Sequence, residues 1–179
     1  MKTINLIFPN QLFKDSIHLD NTSNHYLIEE ELFFNHFNFH KQKLYFHRCS
    51  MKNYFDFLSH KKLEVNYINS YEEKSDIRKF IDGLDPNEIN KIKCIDPEDN
   101  WLEKRLKKAC EKKEIEIQLF ENPLFINSKK ELESFFRKDK KKLFQTSFYK
   151  SERNRLGILL DGNNNPVGGK WTYDDQNRE

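Results

Sequence analysis

The chain has 179 residues, enough for one hydrophobic core, and its 31 basic and 29 acidic side chains leave a formal net charge of only +2. This balance argues against a protein whose main activity is to hold nucleic-acid backbones, although it allows a local basic patch. The 3 cysteines have no paired spacing, which argues against a disulfide framework or a zinc site and favours idle thiols in a reducing compartment. No apolar run is long enough for a signal peptide or a membrane span, so we expect a cytoplasmic protein with no membrane partner.

Short apolar runs alternate with longer amphipathic stretches along the chain. The predicted strands cover residues 3–8, 25–28, 64–68, 91–95 and 115–120. The predicted helices cover residues 40–58, 74–81, 101–109, 128–137 and 143–155. In the longest of them, apolar side chains recur at steps of three and four from Leu44 to Leu58, which is the period of one helix face. Five strands that alternate with helices predict an α/β fold with a parallel sheet and right-handed crossovers.

In an open parallel sheet, ligands bind beyond the carboxyl ends of the strands. The segments predicted at that edge are residues 9–12, 29–34 and 95–101, and they offer amides, carboxylates and aromatic rings. None is a glycine-rich phosphate loop, so a flat heteroaromatic ring with a polar tail fits better than a polyphosphate. Asn10 and Gln11 are either turn residues or ligand contacts. His47, on the apolar face of the long helix, is either a core histidine or a ligand contact.

Other signals are weaker. His36 and His40 have a chelating spacing, but no third metal ligand is apparent. Residues 40–43 form either a solvated first helical turn or the rim of a pocket. The basic and aromatic stretch 138–155 is either a solvated helix face or a nucleic-acid contact. No catalytic triad, carboxylate pair or reactive cysteine is apparent, so the chain carries no self-sufficient catalytic site.

The segment from residue 157 onward is unusual for a chain end, because it combines glycines, amides and aromatic rings. Gly168 and Gly169 permit backbone angles that other residues resist, and Trp171 and Tyr173 carry flat faces that favour burial. This composition is typical of a linker that packs against a second domain. The chain therefore reads as the front part of a larger protein.

Four segments together resemble one known family. They are Ile7-Phe-Pro-Asn-Gln-Leu12, the stretch 39–51, Asp96-Pro-Glu-Asp-Asn-Trp-Leu102, and the pattern Gly-Gly-Lys-Trp-x-Tyr-Asp-x-x-Asn-Arg over residues 168–178. In this order they resemble the prokaryotic photolyase-related proteins, the iron–sulfur bacterial cryptochromes and photolyases. The resemblance implies a Rossmann-like antenna domain over residues 1–136, with an open parallel five-stranded sheet and helices on both faces. Residues 137–179 would then be a helix and linker that lead toward a helical domain.

In that family the helical domain binds FAD, carries the iron–sulfur cluster and accepts the damaged DNA, and none of its sequence is present here. The resemblance therefore implies that this chain is part of a light-driven DNA repair enzyme or blue-light photoreceptor, that it meets DNA only through the full-length protein, and that it is inactive alone. The alternative is a stand-alone module that binds a lumazine, a flavin or a nucleotide without catalysis.

The resemblance also implies an antenna pigment, 6,7-dimethyl-8-ribityllumazine, at the strand ends. Carried over by position, the walls of its pocket are Asn10, Gln11, Leu12, Glu29, Phe33, Leu44, His47 and Trp101. Two features depart from lumazine-binding relatives. The first loop has Pro9-Asn10 where those relatives tend to have Gly-Asp, and Phe33 and His47 replace a carboxylate and an aliphatic residue, which makes the lining bulkier and changes its charge.

Overall fold

Five strands form one sheet in the computed structural model, which describes residues 2–16 and 19–173. The strands are β1 (Lys2–Ile7), β2 (Asn24–Ile28), β3 (Val65–Ile68), β4 (Ile89–Ile95) and β5 (Glu116–Phe120). All neighbouring pairs are parallel and the order is β3-β2-β1-β4-β5, so β1 is central and the order reverses beside it. This arrangement confirms the predicted Rossmann-like open sheet, and it puts the ligand crevice of such folds at the carboxyl ends of β1 and β4.

The helices cover both faces of the sheet. The first compact unit, which ends at Phe125, contains α1 (Glu31–Phe34), α2 (Lys41–His60), α3 (Ile77–Asp82) and α4 (Asn100–Lys112), with a 3-10 turn at Glu73–Ser75. Side chains alternate along β1, so that Ile4 and Leu6 join one core and Ile7 joins the other. The core under α2 contains Ile7, Leu27, Phe34, Met51, Tyr54 and Leu58. The core under α3 and α4 contains Ile4, Leu6, Ile77, Phe80, Leu102 and Leu106, among others.

Side-chain caps fix where these helices begin. His40 caps α2, and the Asp99 carboxylate caps α4 by accepting from the Leu102 amide at 2.8 Å. The stretch 74–81, predicted as one helix, is instead a 3-10 turn followed by α3. The reason is Asp76, which has extended backbone angles and accepts from the Arg78 amide as the cap of α3. The four-residue α1, absent from the sequence prediction, begins behind the cap Glu30.

The second compact unit runs from Ile126 onward and contains α5 (Lys129–Phe135) and α6 (Gln145–Leu156). Ser128 and Glu131 form a capping box at α5. Phe135, Phe136 and Phe148 lie with their ring centroids 4.9–5.0 Å apart and join the two helices. The domain boundary predicted from the sequence, between residues 136 and 137, stays a prediction. Over residues 2–16 and 19–173, no helix combines the length and the apolar character needed to cross a membrane.

Residues 157–173 fold back along α6. Gly157, with φ of 66°, ends the helix, and Leu160 and Pro166 then form an antiparallel bridge around a turn capped by Asp161. Gly168 has φ of 83°, an angle that residues with a β-carbon rarely adopt, so the backbone there favours glycine. Positions 174–178 of the family pattern lie outside the described residues.

Arg153 holds this folded-back segment. It is the one buried residue among the described residues of the second unit, at 5% exposure. Its guanidinium donates to the carbonyl oxygens of Ile158, Leu159 and Trp171, and it lies over the Trp171 ring with the guanidinium carbon 5.2 Å from the centroid. The segment 157–173 is thus organised around one buried cation.

Candidate functional site at the carboxyl edge of the sheet

Two amide side chains tie the end of β1 to the end of β4. Gln11 is buried, and its Nε2 donates to the Ile95 carbonyl at 2.8 Å while its Oε1 accepts from the Phe8 amide at 3.4 Å. Asn10 Nδ2 donates to the Pro97 carbonyl at 3.3 Å. Both predicted site residues therefore brace the two walls of the crevice at the reversal of strand order.

Asn10 also presents an open acceptor. Its Oδ1 is buried and has no hydrogen-bond partner within the part of the chain that the structure describes. A buried polar atom without a partner costs free energy, and a ligand N–H or O–H at this point would satisfy it. Gln11, by contrast, has its amide engaged with the backbone and acts as a support.

Glu29, at the end of β2, is fully buried and fully engaged. Arg48 on α2 donates to both of its carboxylate oxygens, from Nε at 2.7 Å and from Nη2 at 2.6 Å. The Tyr67 hydroxyl and the Ser70 amide donate to the same carboxylate at 2.7 and 2.9 Å. Burial acts to raise the pKa of Glu29, but these four donors outweigh it and hold the pKa below its usual range. Glu29 therefore joins β2, β3 and α2, and it is the framework of the site.

Four of the predicted lining residues come together under the first half of α2. Leu12, Phe33 and Leu44 are half-buried and pack on the core beneath that helix. The His47 ring lies with its centroid 6.3 Å from that of Phe33 and 6.1 Å from that of Phe34. Burial, together with the nearby Lys43 ammonium, lowers the pKa of His47 and so favours the neutral imidazole. A neutral imidazole offers one donor and one acceptor to a ligand.

Trp101 contacts a different ring at the same edge. It is the second residue of α4, is 55% exposed, and meets the His36 ring edge-on at a centroid distance of 5.3 Å. His36 in turn lies with Nδ1 3.5 Å from a Glu31 oxygen. His40, the other member of the possible metal pair, accepts from the Gln42 amide as the cap of α2. Within residues 2–16 and 19–173, no three histidine, cysteine or carboxylate side chains are grouped to hold a metal ion.

Two arginines at this edge, Arg48 and Arg105, were not predicted from the sequence. Arg48 binds Glu29, and Arg105 on α4 places Nη1 2.5 Å from Glu31 and 3.7 Å from Glu30. The position of Arg48 could have been inferred from helical spacing. It lies four residues after Leu44 and three before Met51, so it borders the inward face of α2. Nothing comparable marks Arg105, whose partners are far away in sequence.

Glu30, the carboxylate next to Glu29, has a pKa inside the physiological range. It is fully buried as the cap of α1, accepting from the Leu32 amide at 2.7 Å. Burial raises its pKa to about 7, although hydrogen bonds from the backbone and the charge of Arg105 oppose that rise. The folded protein therefore binds a proton here that the unfolded chain has already lost.

Substitution of Glu30 by glutamine should change how stability depends on pH. Because the carboxyl pKa is higher in the folded state, wild-type stability falls as pH rises from the unfolded value of 4.5 through the folded value of about 7. Glutamine can still accept from the Leu32 amide and does not ionise, so Glu30→Gln should gain about 3 kcal/mol over wild type across that window. Urea denaturation at a series of pH values measures the difference, and Glu103→Gln on α4 is the control. A difference that is constant with pH would contradict the prediction.

The order of the five parallel strands, with helices on both faces, defines a Rossmann-like α/β domain. The chain belongs to the deoxyribodipyrimidine photo-lyase-related protein family, whose model matches residues 5–179. It is 33% identical to the uncharacterized protein R852 of Acanthamoeba polyphaga mimivirus, over all of this chain and 95% of the viral protein. It is 24% identical to the (6-4) photolyase of Agrobacterium fabrum over 78% of this chain, which corresponds to 28% of the length of that photolyase.

Proposed function

We propose that this chain is the antenna-chromophore domain of a light-driven DNA repair enzyme or blue-light photoreceptor. The observation that carries the proposal is that the carboxyl edge of the sheet has both an unpaired acceptor, Asn10 Oδ1, and a half-buried apolar lining beneath α2. Such a site suits a flat heteroaromatic pigment that has at least one N–H or hydroxyl group. A pigment of the 6,7-dimethyl-8-ribityllumazine type has this chemistry.

Each lining residue has a distinct part in holding such a pigment. Phe33 and His47 offer ring surfaces, and Leu12 and Leu44 exclude water from the apolar side of the ring system. Asn10 accepts one hydrogen bond, and the neutral His47 accepts or donates another. The pigment supplies absorption of near-ultraviolet or blue light, while FAD and an iron–sulfur cluster would belong to the helical domain of a full-length protein, as would the site that accepts photodamaged DNA.

The test of this proposal is a fluorescence titration of the purified chain with 6,7-dimethyl-8-ribityllumazine. His47→Trp places a bulkier ring beside Phe33 and should weaken binding at least tenfold, since the larger side chain would occupy volume that the proposed ligand needs. Tyr45→Trp places the same side chain on the outer face of α2, where Tyr45 is 73% exposed, and should leave binding unchanged.

Absence of lumazine binding to the wild-type chain would overturn the pigment assignment. Equal binding by wild type and His47→Trp would place the ligand elsewhere. Repair of ultraviolet-damaged DNA by this chain alone under blue light would also contradict the proposal, because an antenna domain only passes on excitation.

A second candidate, a self-contained small-molecule binding module without catalysis, is favoured by one observation. Residues 157–173 fold back on α6 through Arg153, as expected of a chain that covers its own surface. Limited proteolysis separates the candidates, because a linker lacking its partner is cut rapidly whereas a packed segment resists. Resistance beyond Gly157 equal to that of the first unit favours the self-contained module, and cleavage there well before the first unit is cut favours the antenna domain.

A further inference from the structure

A groove of about 760 Å³ runs between α3 and α4 on the outer surface of the first unit. It lies outside the residues assigned to the pigment site, apart from Trp101 at one end. Six of its lining side chains are cationic: Arg78, Lys79, Lys104, Arg105, Lys108 and Lys112. Two lining carboxylates, Asp76 and Asp82, oppose them. The chain as a whole carries a net charge of only +2, so this concentration of positive charge is local.

The two carboxylates do not neutralise the groove. Asp76 is engaged by Arg78 at 2.6 Å and Asp82 by Lys112 at 2.8 Å. Two more of the lining cations, Arg105 and Lys79, are paired with Glu31 and Glu73, which do not line the groove. Lys104 and Lys108 are both exposed, and no ion-pair partner for either occurs among residues 2–16 and 19–173. The excess of positive charge in the groove therefore comes from Lys104 and Lys108, and an anionic ligand would neutralise it.

The lysines are arranged in a row. Lys104, Lys108 and Lys112 recur every four residues along one face of α4, which places them about 6 Å apart along the helix axis. Like charges at this spacing destabilise a helix in isolation, and α4 tolerates them because Leu102, Leu106 and Cys110 bury its opposite face. A row of evenly spaced cations matches a polymer of evenly spaced anions better than one compact anion.

Trp101 supplies an aromatic surface at the end of this row. It lies in the first turn of α4, lines the groove, and is 55% exposed. The edge-on contact with His36 orients its ring, so the exposed part is a platform on which a flat base can stack. A cationic groove with an aromatic platform is the arrangement that proteins use to bind single-stranded nucleic acid.

We propose that the α3–α4 groove binds a single strand of nucleic acid, with phosphates on Lys104 and Lys108 and one base stacked on Trp101. A single strand fits better than a duplex, because the stacking surface requires an unpaired base and the binding surface is concave. The assignment requires neither a pigment nor light, so it stands or falls independently of the antenna proposal.

The test is fluorescence anisotropy of a labelled oligothymidine of about 8 nucleotides, titrated with the full chain at several salt concentrations. Lys104→Gln/Lys108→Gln should weaken binding at least tenfold and reduce the salt slope by about 1.4, at about 0.7 for each lost phosphate contact. The control Lys41→Gln/Lys107→Gln removes the same charge from exposed positions that do not line the groove and should retain the wild-type slope. Trp101→Ala should weaken binding roughly tenfold without changing the slope.

Three results would overturn the proposal. Equal losses in the groove variant and the control variant would show attraction to the overall charge alone. Competition by thymidine monophosphate as effective as that of the oligonucleotide would make the groove a site for small anions. Binding to vesicles of anionic phospholipid without binding to the oligonucleotide would make it a membrane-facing surface.

Discussion

Replacement of Glu29 by alanine is expected to lower the free energy of unfolding by about 3–5 kcal/mol. The carboxylate is fully buried and accepts from Arg48, from the Tyr67 hydroxyl and from the Ser70 amide. Its removal leaves two of these donors partly buried without a partner and leaves Arg48 without its counter-charge. Because the three donors come from α2, β3 and the loop after β3, the loss should loosen the whole side of the crevice that α2 covers.

Urea denaturation followed by circular dichroism measures this effect. Glu103→Ala is the matched control, because it removes a carboxylate paired with Lys107 at 2.5 Å on the surface of α4, and it should cost less than about 1 kcal/mol. Glu29→Gln should lie between the two, since the amide keeps the shape and can accept some of the same hydrogen bonds. A loss for Glu29→Ala as small as that for Glu103→Ala would mean that the Glu29 cluster does not hold the site together.

Replacement of Arg153 by alanine is expected to release the segment 157–173. The guanidinium donates to three carbonyl oxygens of that segment, and charge-assisted hydrogen bonds of this kind contribute more than neutral ones. We expect the free energy of local opening to fall by about 3 kcal/mol, which raises the population of the open segment roughly a hundredfold. Because proteases cleave the open form, cleavage should accelerate by the same factor when opening and closing are fast.

Limited proteolysis with mass spectrometry locates and times that cleavage. Arg155→Ala is the control, because Arg155 lies on the same helix and pairs with Glu131 and Glu152, away from the folded-back segment. Wild type and Arg155→Ala should be cut at similar rates beyond Gly157. If Arg153→Ala were no faster than wild type, the segment would be held by other contacts.

The sheet could be predicted from sequence because its signals are local. Each strand is a short apolar run, and the predicted limits differ from the observed ones by at most two residues at either end, as for residues 91–95 against Ile89–Ile95. The long helix was equally accessible, since Leu44, Met51 and Leu58 keep the helical period over about four turns. The four-residue α1 was missed because one turn is too short to show a period, and the cap Glu30 reads as part of an acidic cluster.

The site was less predictable, because it depends on contacts between distant residues. That Glu29 follows a strand is visible in the sequence, but its burial against Arg48 and Tyr67 depends on how α2 and β3 pack. The role of Gln11 as a support likewise requires β4 to lie beside β1. The open acceptor of Asn10 can be identified only when every neighbouring donor has been placed. The sequence therefore indicates where the site lies, and packing determines which of its side chains are available.

The position of β1 between β2 and β4 affects how the chain folds while it is being synthesised. One edge of β1 meets β2, which follows closely in sequence, but the other edge meets β4, with Leu6 opposite Cys94. During synthesis the central strand therefore keeps an unpaired edge, flanked by apolar side chains, until β4 has emerged from the ribosome. Open strand edges recruit other chains, so nascent intermediates that stop short of β4 are the species most exposed to aggregation and most dependent on chaperones.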